Sequence, residues 1–331
     1  MKKIAVVILN WNGVDLLRQF LPSVLQYSEE ATIYVVDNAS NDDSISVLKS
    51  EFPEVQIIEN EGNYGFAKGY NEGLQNIKEE YLALVNSDIE VTANWLKPII
   101  HIFEKESEIA IIQPKILDFK NKSYFEYAGA AGGFIDKYGY PFCRGRIFDS
   151  VEKDDGQYDS DRKIFWASGA CFFIRNKVYQ ELKGFDEDFF AHQEEIDLCW
   201  RAFNLGHVIK YSHQSVVYHI GGATLSVGNP KKTYLNFRNS LYMLTKNLPK
   251  DKLFKILFLR MVLDGIAGIQ FLIKGKWKHF HSILKAHYQF YINFKHHYRK
   301  RNLNNKDNYY AISSIIIRFF IKKQHFYKNL F

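Results

Sequence analysis

Acidic residues occur in two segments whose spacing could support chemistry, and Asp88 belongs to the first of them. It follows the apolar run 82–85 within the segment 86–90, which reads Asn-Ser-Asp-Ile-Glu. A carboxylate at the end of a buried strand could hold Mg²⁺ or Mn²⁺, because both ions prefer oxygen ligands and bind together with substrate phosphates. The alternative is a turn or a helix N-cap, which is the more common role of Asn and Asp after a strand.

The second acidic segment, residues 186–197, combines several carboxylates with one histidine. On a helix that begins at Glu194, Asp197 and Arg201 are four residues apart, so they could form a structural ion pair. Glu195 points away from that face, and acidic neighbours raise the pKa of a carboxyl group, so this residue is a candidate general base. The alternative is an acidic helix start that only complements the helix dipole.

His219 follows the apolar run 215–218 and precedes Gly221 and Gly222. Glycine lets a backbone approach a ligand closely, so this histidine could be a third metal ligand. Taken by itself, it is more often a structural histidine whose nitrogens are hydrogen-bonded.

Short apolar runs alternate with amphipathic stretches in the first part of the chain, and this alternation predicts strands and helices in turn. The predicted strands are residues 4–9, 33–36, 55–58, 81–85 and 109–113, and the predicted helices are residues 14–27, 42–52, 66–76 and 94–105. The pattern is typical of a mainly parallel sheet covered on both faces, in which ligands bind at the carboxyl ends of the strands. Polar residues follow several of these strands: Asn10, Asn12, Asp37, Asn38, Asn60 and Asn86.

The middle of the chain has a less regular pattern. Residues 115–163 are rich in Gly, Tyr and Asp without a clear period, which predicts a long irregular insertion or a few edge strands. A strand is then predicted over 165–174, a helix over 176–182, and a second helix over 194–205 that ends at Gly206.

The composition limits the class of protein. With 331 residues, 47% of them hydrophobic and 24% charged, the chain can form one large domain or two of ordinary size, and extensive disorder is excluded. Three widely spaced cysteines argue against a disulfide framework and favour a reducing cytosol. The apolar run at residues 4–9 is too short for a signal peptide and is interpreted as a buried strand.

The charge is distributed unevenly along the chain. Residues 1–230 hold 22 Lys/Arg and 34 Asp/Glu, whereas residues 231–331 hold 21 Lys/Arg and 3 Asp/Glu, so we expect two parts that divide at residue 230. The basic part has aromatic residues at helical spacing, which favours amphipathic helices on an anionic membrane surface. A helical subdomain that only packs on the first part is an equal alternative.

Neither a nucleic-acid partner nor a membrane span is expected. The basic part lacks the known nucleic-acid-binding motifs, which argues against nucleic acid. Its longest apolar stretch, residues 253–273, contains Lys255, Arg260 and Asp264, so we expect no membrane span.

In this order along the chain, the motifs resemble those of the inverting nucleotide-sugar glycosyltransferases of GT-A family 2, in the rhamnosyltransferase-like branch of bacterial surface polysaccharide synthesis. The fold that this resemblance implies is α/β and Rossmann-like, with a mainly parallel sheet flanked by helices and a basic amphipathic helical region at the C-terminus. The matching segments are residues 6–13, 35–42, 60–73, 84–88, 168–170 and 189–201.

The resemblance also implies the catalytic and metal-binding residues. Asp88 keeps the last carboxylate of the family's DxD motif and would bind a divalent metal, Mg²⁺ or Mn²⁺, with His219. Glu195 would be the catalytic base, with Glu194 and Asp197 as rivals.

The implied nucleotide-sugar site draws on several segments. Asp37 would bind the pyrimidine base, and Arg238 would reach the diphosphate. The full set that the resemblance implies is Asn10, Asn12, Asp37, Asn38, Asn63, Gly65, Gly69, Asn86, Ser168, Gly169 and Arg238.

The implied reaction is a single displacement that inverts the anomeric centre. A carboxylate would remove the proton from an acceptor hydroxyl while the metal neutralises charge on the departing nucleoside diphosphate. The implied donor is a nucleoside-diphosphate sugar, with rhamnose as first candidate. The implied acceptor is a glycan or a polyprenyl-diphosphate-linked glycan, used by a cytoplasmic enzyme that is peripheral on the inner face of the cytoplasmic membrane.

Two functions of other classes compare less well with the sequence. A dinucleotide oxidoreductase would need a GxGxxG motif after the first strand, and none is present there. A non-catalytic scaffold that binds a nucleotide sugar or a lipid would be expected to have lost acidic positions, whereas Asp88, Glu195 and His219 are all present.

Overall fold

A computed structural model describes residues 2–221, 228–302 and 305–331 of the chain. Gly222 of the sequence analysis lies outside these ranges. The α-helices are α1 Val14–Tyr27, α2 Ser44–Glu51, α3 Gly65–Leu74, α4 Lys97–Lys105, α5 Asn176–Glu181, α6 Glu194–Leu205, α7 Pro230–Asn247, α8 Lys250–Ile273 and α9 Trp277–Arg299. The strands are β1 Ile4–Asn10, β2 Ala31–Asp37, β3 Gln56–Glu59, β4 Tyr81–Asn86, β5 Ile89–Val91, β6 Ile109–Asp118, β7 Gly133–Ile135, β8 Pro141–Cys143, β9 Arg146–Ile147, β10 Ser150–Val151, β11 Arg162–Ile164, β12 Cys171–Arg175 and β13 Val208–His219.

Nine of these strands form one sheet in the order β11-β13-β6-β12-β4-β1-β2-β3, with β5 paired to β13 beside this path. Strands β1, β2, β3 and β4 are parallel, and so are β6 and β13. Strand β12 is antiparallel and lies between β4 and β6. The α/β fold with a mainly parallel sheet is therefore confirmed. The chain runs from β1 to β2 on one side and later to β4 on the other, so the carboxyl end of β1 borders the crevice where such sheets bind ligands.

Both faces of the sheet are buried, which explains why its strands are nearly continuous apolar runs. Along β1, Ala5 and Val7 belong to one hydrophobic cluster, whereas Ile4, Val6 and Ile8 belong to the other. Successive side chains of a strand point to opposite faces, so each run supplies both cores and holds the strand ends in fixed positions.

The helices and strands agree closely with the prediction in the first part of the chain. Helices α1 and α6 have the predicted bounds, and the strand predicted over 4–9 extends by one residue to Asn10. Such agreement is expected where long periodic runs are bounded by polar residues.

The middle of the chain agrees with one of the two predicted alternatives and differs from the prediction at another place. Residues 115–163 contain a few short strands rather than one irregular insertion: β6 continues to Asp118, and strands β7 to β10 form a small four-stranded antiparallel sheet. These strands have two or three residues each, too few for an alternating pattern to show. The strand predicted over 165–174 is restricted to β12, because the amide of Ser168 bonds the Gln113 side chain at 2.9 Å instead of a neighbouring strand.

The basic region forms three helices, as its pattern predicts, and part of it packs on the first part of the chain. The segment after α9 returns to the first part of the chain: the Tyr309 ring lies 4.9 Å from that of Trp200 on α6, and the Tyr327 amide donates to Glu152 next to the small sheet. Helix α8 has the length and the apolar composition of a helix that could cross a membrane. In its most apolar stretch of 18 residues, 28% is buried in the protein.

Candidate active site

The polar residues after β1 and β2 meet at the carboxyl edge of the sheet because Asn10 and Asp37 are paired in register. Asn10 donates its Nδ2 hydrogen to Oδ1 of Asp37 at 2.9 Å, and Ser40 donates both its amide and its hydroxyl to the same carboxylate. Asp37 therefore organises the loop after β2. The Oδ1 atom of Asn10 is enclosed and has no hydrogen-bond partner among the described residues.

A second group of predicted residues forms a hydrogen-bond network beside this pair. The Oδ1 atom of Asn12 accepts from the amide of Asn41 at 2.7 Å, and Asn63 accepts from the Gly65 amide at 3.0 Å. Asn38 donates to the Gly65 carbonyl at 2.8 Å. The loops after β1, β2 and β3 are therefore locked to one another.

Two positions in this hydrogen-bond network have no room for a side chain, which explains why they are glycines. A Cβ added to Gly69 would lie 2.7 Å from Nδ2 of Asn38. Gly65 has a φ of +73°, and a Cβ there would lie 2.6 Å from the Phe190 ring. Helix α3 can approach Asn38 and Phe190 this closely only because both positions lack a side chain.

His219 lies between two carboxylates. Its Nε2 atom is 3.2 Å from Oδ1 of Asp88, and its Nδ1 atom is 3.3 Å from Oε2 of Glu126. Burial alone would lower the pKa of His219, but Glu126 and Asp88 raise it to about 10. In the absence of another cation, the imidazole is thus protonated and balances two buried negative charges.

The spacing of Asp88 and His219 fits a divalent cation. Adjacent ligands of an octahedral ion with bonds of 2.0–2.1 Å are separated by about 3 Å, close to the observed distance between Oδ1 and Nε2. The Nδ1 atom of His219 is buried without a well-aligned hydrogen bond among the described residues. A metal at Nε2 would leave Nδ1 as the protonated nitrogen, directed at Glu126.

Glu195, at the start of α6, lies next to the segment that joins β11 to β12. A Cβ added to Gly169 would be 3.7 Å from Cδ of Glu195, and the neighbouring Ala170 carbonyl accepts from the Asn86 amide at 2.9 Å. Gly169 therefore lies beside Glu195, and the next residue is hydrogen-bonded to the strand end that precedes Asp88. The hydroxyl of Ser168 accepts from the Ala170 amide and fixes this connection.

Glu194 is buried, Glu195 is half-buried, and neither has an ion partner among the described residues. The Oε2 atoms of both have no hydrogen-bond partner in the described part of the chain. Burial raises the pKa of Glu195 to about 7, against the effect of hydrogen bonds from backbone amides at the helix start. Burial and the charge of Glu195 raise the pKa of Glu194 well above its usual range. Glu195 therefore has the proton affinity of a general base at neutral pH.

Asp197 has a different environment, because both of its oxygens are occupied. Oδ2 lies 2.8 Å from Nε of Arg201 and 2.8 Å from Nζ of Lys246, and Oδ1 accepts from Asn247. Burial alone would raise the pKa of Asp197, but Lys246 and Arg201 lower it. The predicted ion pair with Arg201 is present, and this carboxylate holds α6 against α7.

Arg238 and Asn239 hold the loop before α6. Arg238 donates to the carbonyls of Asp188 and Phe189 at 3.0 and 3.1 Å, and Asn239 donates to the carbonyls of Phe189 and His192. Residues in this loop have backbone conformations that side chains disfavour, with a φ of +69° at His192. Helix α7 thus stabilises a strained loop next to Glu195.

Another acidic cluster has metal-like spacing. One ligand atom each from Asp186, Asp188 and His297 lies within 4.8 Å of the others. Lys246 and Lys300 already pair with Asp186 at 2.6 and 2.7 Å. These lysines neutralise the cluster, which ties the 186–188 turn to α7 and α9.

The first part of the chain matches a known family. The model of glycosyl transferase family 2 matches residues 5–183, more than half of the chain. The chain belongs to glycosyl transferase family 2. It is therefore a glycosyltransferase.

Named relatives of the transferase agree with this assignment. It is 23% identical over 249 residues to the low-salt glycan biosynthesis hexosyltransferase Agl10 of Haloferax volcanii, covering 71% of this chain and 73% of the relative. It is 20% identical to the N-acetylglucosaminyl-diphospho-decaprenol L-rhamnosyltransferase of Mycobacterium tuberculosis, covering 65% and 75%. It is 23% identical to the rhamnosyltransferase WbbL of Escherichia coli, covering 63% and 83%.

Solved structures share the fold of the transferase. S. aureus TarS 1-349 in complex with UDP-GlcNAc aligns with a TM-score of 0.58 and 16% identity, over 88% of this chain and 81% of that one. GalNAc-T7 with UDP, GalNAc and Mn²⁺ aligns with a TM-score of 0.57 and 21% identity, over 73% of this chain and 48% of that one. The predicted GT-A fold is thereby confirmed.

Sequence reasoning missed two charged residues of this transferase. Glu126 lies in the segment after β6, where the sequence predicts an irregular insertion or a few edge strands. No spacing rule connects it with His219. Lys232, near the start of α7, is half-buried, and its charge adds to burial in lowering the pKa of His192 to about 4. The excess of lysine after residue 230 was a signal for a cation, but not for its position.

Proposed function

We propose that this glycosyltransferase moves a sugar from a nucleoside-diphosphate donor to an acceptor hydroxyl by a single inverting displacement, with Glu195 as the base. The observation that carries the proposal is the enclosed carboxylate of Glu195, which has a raised pKa and no ion partner in the described structure. A free carboxylate with a pKa near the working pH can accept a hydroxyl proton efficiently.

The contacts of α6 favour Glu195 over its two rivals. Asp197 is bound by Lys246 and Arg201, which keep it ionised and occupied. Glu194 is the more deeply buried of the pair, and burial together with the charge of Glu195 raises its pKa well above the usual range, which disfavours its ionised form.

Asp88 and His219 are the residues that would hold the divalent metal. Their ligand atoms have the spacing of neighbours in an octahedral site, and the imidazole nitrogen favours Mn²⁺ over the harder Mg²⁺. When bound, the metal supplies positive charge that stabilises the departing diphosphate. Glu126 orients the His219 ring, and Lys232 supplies a cation next to this group.

The loops after β1, β2 and β3 would bind the nucleotide and the donor sugar. The unpartnered Oδ1 atom of Asn10 is one acceptor that a ligand could satisfy. The hydrogen-bond network would fix the shape of the pocket, because its bonds leave little freedom to these loops. Its residues include Asp37, Asn38, Asn63 and Gly69. Arg238 supports catalysis through its contacts with the loop before α6.

The names of the relatives suggest the substrates. Two of them are rhamnosyltransferases and one acts on a decaprenol-linked sugar, so thymidine-diphosphate rhamnose and a polyprenyl-diphosphate-linked glycan are the first candidates. Uridine-linked hexoses are the second, because the name of another relative is hexosyltransferase. The enzyme would act in envelope polysaccharide synthesis as a peripheral protein on the inner face of the cytoplasmic membrane.

The direct test measures nucleoside diphosphate release from thymidine-diphosphate rhamnose, UDP-glucose and UDP-GlcNAc, with Mn²⁺ and a synthetic polyprenyl-diphosphate GlcNAc acceptor. We expect acceptor-dependent release with one donor and an inverted anomeric configuration in the product. Asp88→Ala should abolish it, while Glu54→Ala, an exposed carboxylate away from the site, should not. Binding of a donor without turnover would instead indicate the non-catalytic scaffold.

A further inference from the structure

Helices α8 and α9 each present an apolar surface to solvent. Phe258 is 63% exposed, Ile273 at the end of α8 is 81% exposed, and Trp277 at the start of α9 is 62% exposed. We call this surface the apolar stripe, and its side chains are Phe254, Phe258, Val262, Ile266, Ile269, Ile273, Trp277, Leu284, Tyr288, Tyr291 and Ile292. On α8 they recur every three or four residues, and on α9 residues 277, 284, 288, 291 and 292 have the spacing of one helix face, so they lie along one side of each helix.

Helix α8 differs from a helix on a water-soluble protein because both of its sides are apolar and its charges near the middle are buried. Its protein-facing side carries Arg260 and Asp264 after the apolar residues 253, 256 and 257. Arg260 donates to Ser240 at 2.5 Å and to the Tyr138 carbonyl at 3.0 Å, and Asp264 lies 3.1 Å from Nε2 of His287. A surface helix normally places its apolar side against the protein and its charged side in water. The outward side of α8 is therefore built for an apolar environment.

The surroundings of the stripe indicate which environment that is. Exposed lysines flank it on both helices, among them Lys274, Lys276 and Lys278 at the turn between them. A second copy of the chain would bring the same cations into the contact, whereas an anionic lipid surface complements them. Trp277, Tyr288 and Tyr291 are the aromatic residue types that prefer the boundary between headgroups and acyl chains.

We propose that α8 and α9 insert the apolar stripe into one leaflet of an anionic membrane and lie parallel to its plane, with the lysines among the lipid phosphates. This inference deepens the proposed function and rests on it for the choice of membrane face. It adds the insertion of apolar side chains to the electrostatic attraction between the lysines and the lipids. Vesicle binding is measured without donor or acceptor, so a failure here and a failure of the proposed catalysis are distinguishable.

An in-plane position also agrees with the contacts of α8 better than a membrane span does. Among the described residues, α8 is the helix long and apolar enough to cross a bilayer. Crossing would expose the charges of Arg260 and Asp264 to lipid and break the contacts with Ser240 and His287. The in-plane arrangement keeps all of these contacts and places in the lipid only the side of α8 that is already exposed to solvent.

The test uses the full chain and co-sedimentation with vesicles of phosphatidylcholine alone or with 30% phosphatidylglycerol. The stripe variant is Phe258→Asp with Ile269→Asp, and the control is Gln19→Asp with Gln26→Asp, two exposed positions on α1 that change the net charge equally. Thermal melting checks that both variants fold. Phe258→Leu with Ile269→Val keeps the stripe apolar.

We expect the wild type to bind the anionic vesicles, in part even in 0.5 M NaCl, where purely electrostatic attraction is screened. The stripe variant should bind at least tenfold more weakly, and both the control and the conservative variant should bind like the wild type. Brominated lipids should quench tryptophan fluorescence in the wild type and less in Trp277→Phe. Equal binding of the stripe variant, loss of all binding in salt, or a stripe-dependent dimer without vesicle binding would overturn the proposal.

Discussion

The Nε2 atom of His219 lies 3.2 Å from Oδ1 of Asp88, although the two residues are far apart in the sequence. Strands β5 and β13 bring them together, because His219 pairs with Ile89 in register and the Ile220 amide donates to the Asp88 carbonyl. Asp88 comes directly before β5, so this backbone hydrogen bond holds it beside the end of β13, where its carboxylate reaches the His219 ring.

Glu126 is expected to act as a positioning residue for metal binding. Replacing it with Ala removes the carboxylate that faces Nδ1 of His219, and loss of such a partner typically costs 10–100-fold in metal affinity. Titration of free Mn²⁺ by electron paramagnetic resonance should show a decrease of about that size, with partial rescue in Glu126→Asp. Glu54→Ala is the control. An unchanged Mn²⁺ affinity in Glu126→Ala would assign a purely structural role to this carboxylate.

The variant Glu195→Gln should lose activity and gain stability at alkaline pH. Loss of a general base costs about 10²–10⁴-fold in turnover. The pKa of Glu195 is raised from 4.5 to about 7 by burial, so its ionisation destabilises the folded state increasingly from pH 4.5 to 7 and fully above pH 7. Removing this charge should stabilise the fold by about 1–3 kcal/mol at pH 8 and by little at pH 5. Denaturant unfolding at the two pH values measures it, and equal stabilisation at both would contradict the assignment.

The pH dependence of kcat/KM should report the same carboxylate. The rate is expected to rise about tenfold per pH unit below an apparent pKa near 7, because only the ionised form of Glu195 accepts a proton. Glu194 and the thiols of Cys143 and Cys199 are the titratable groups that interact with it. Burial raises the pKa of each of these groups, which favours its protonated form. A rate independent of pH between 5.5 and 8 would rule out Glu195 as the base.

Lys246 is expected to be a stability residue rather than a catalytic one. Its ammonium lies between Asp186, which is half-buried, and Asp197, which is buried, so Lys246→Met would leave two carboxylates with weaker compensation. Removing one partner of a buried ion pair costs about 3–5 kcal/mol, and Arg201 and Lys300 should limit the loss to about 2–4 kcal/mol. Urea unfolding measures it. The exposed pair of Arg18 and Glu51 offers a control, since Arg18→Met should cost less than about 1 kcal/mol.

Helix α6 shows how far sequence patterns predict this fold. The spacing of apolar residues gives the bounds of α6, and the four-residue spacing of Asp197 and Arg201 predicts their ion pair. The same pattern could not predict that Lys246 and Asn247 bind the other side of Asp197, because that contact depends on how α7 packs against α6. Sequence patterns capture interactions within one element, whereas contacts between elements depend on their arrangement.

The sequence by itself determined the parallel sheet, the polar ends of its strands and the identities of Asp88, Glu195 and His219 as candidates, because these follow from local periodicity and residue chemistry. Only the tertiary structure decided that Glu126 faces His219, that Asp197 is bound by Lys246, and that the apolar side of α8 points outward. The physical reason is that hydrophobic periodicity marks which side of a helix is apolar, while only the packing of neighbouring elements decides whether that side meets the protein or its surroundings.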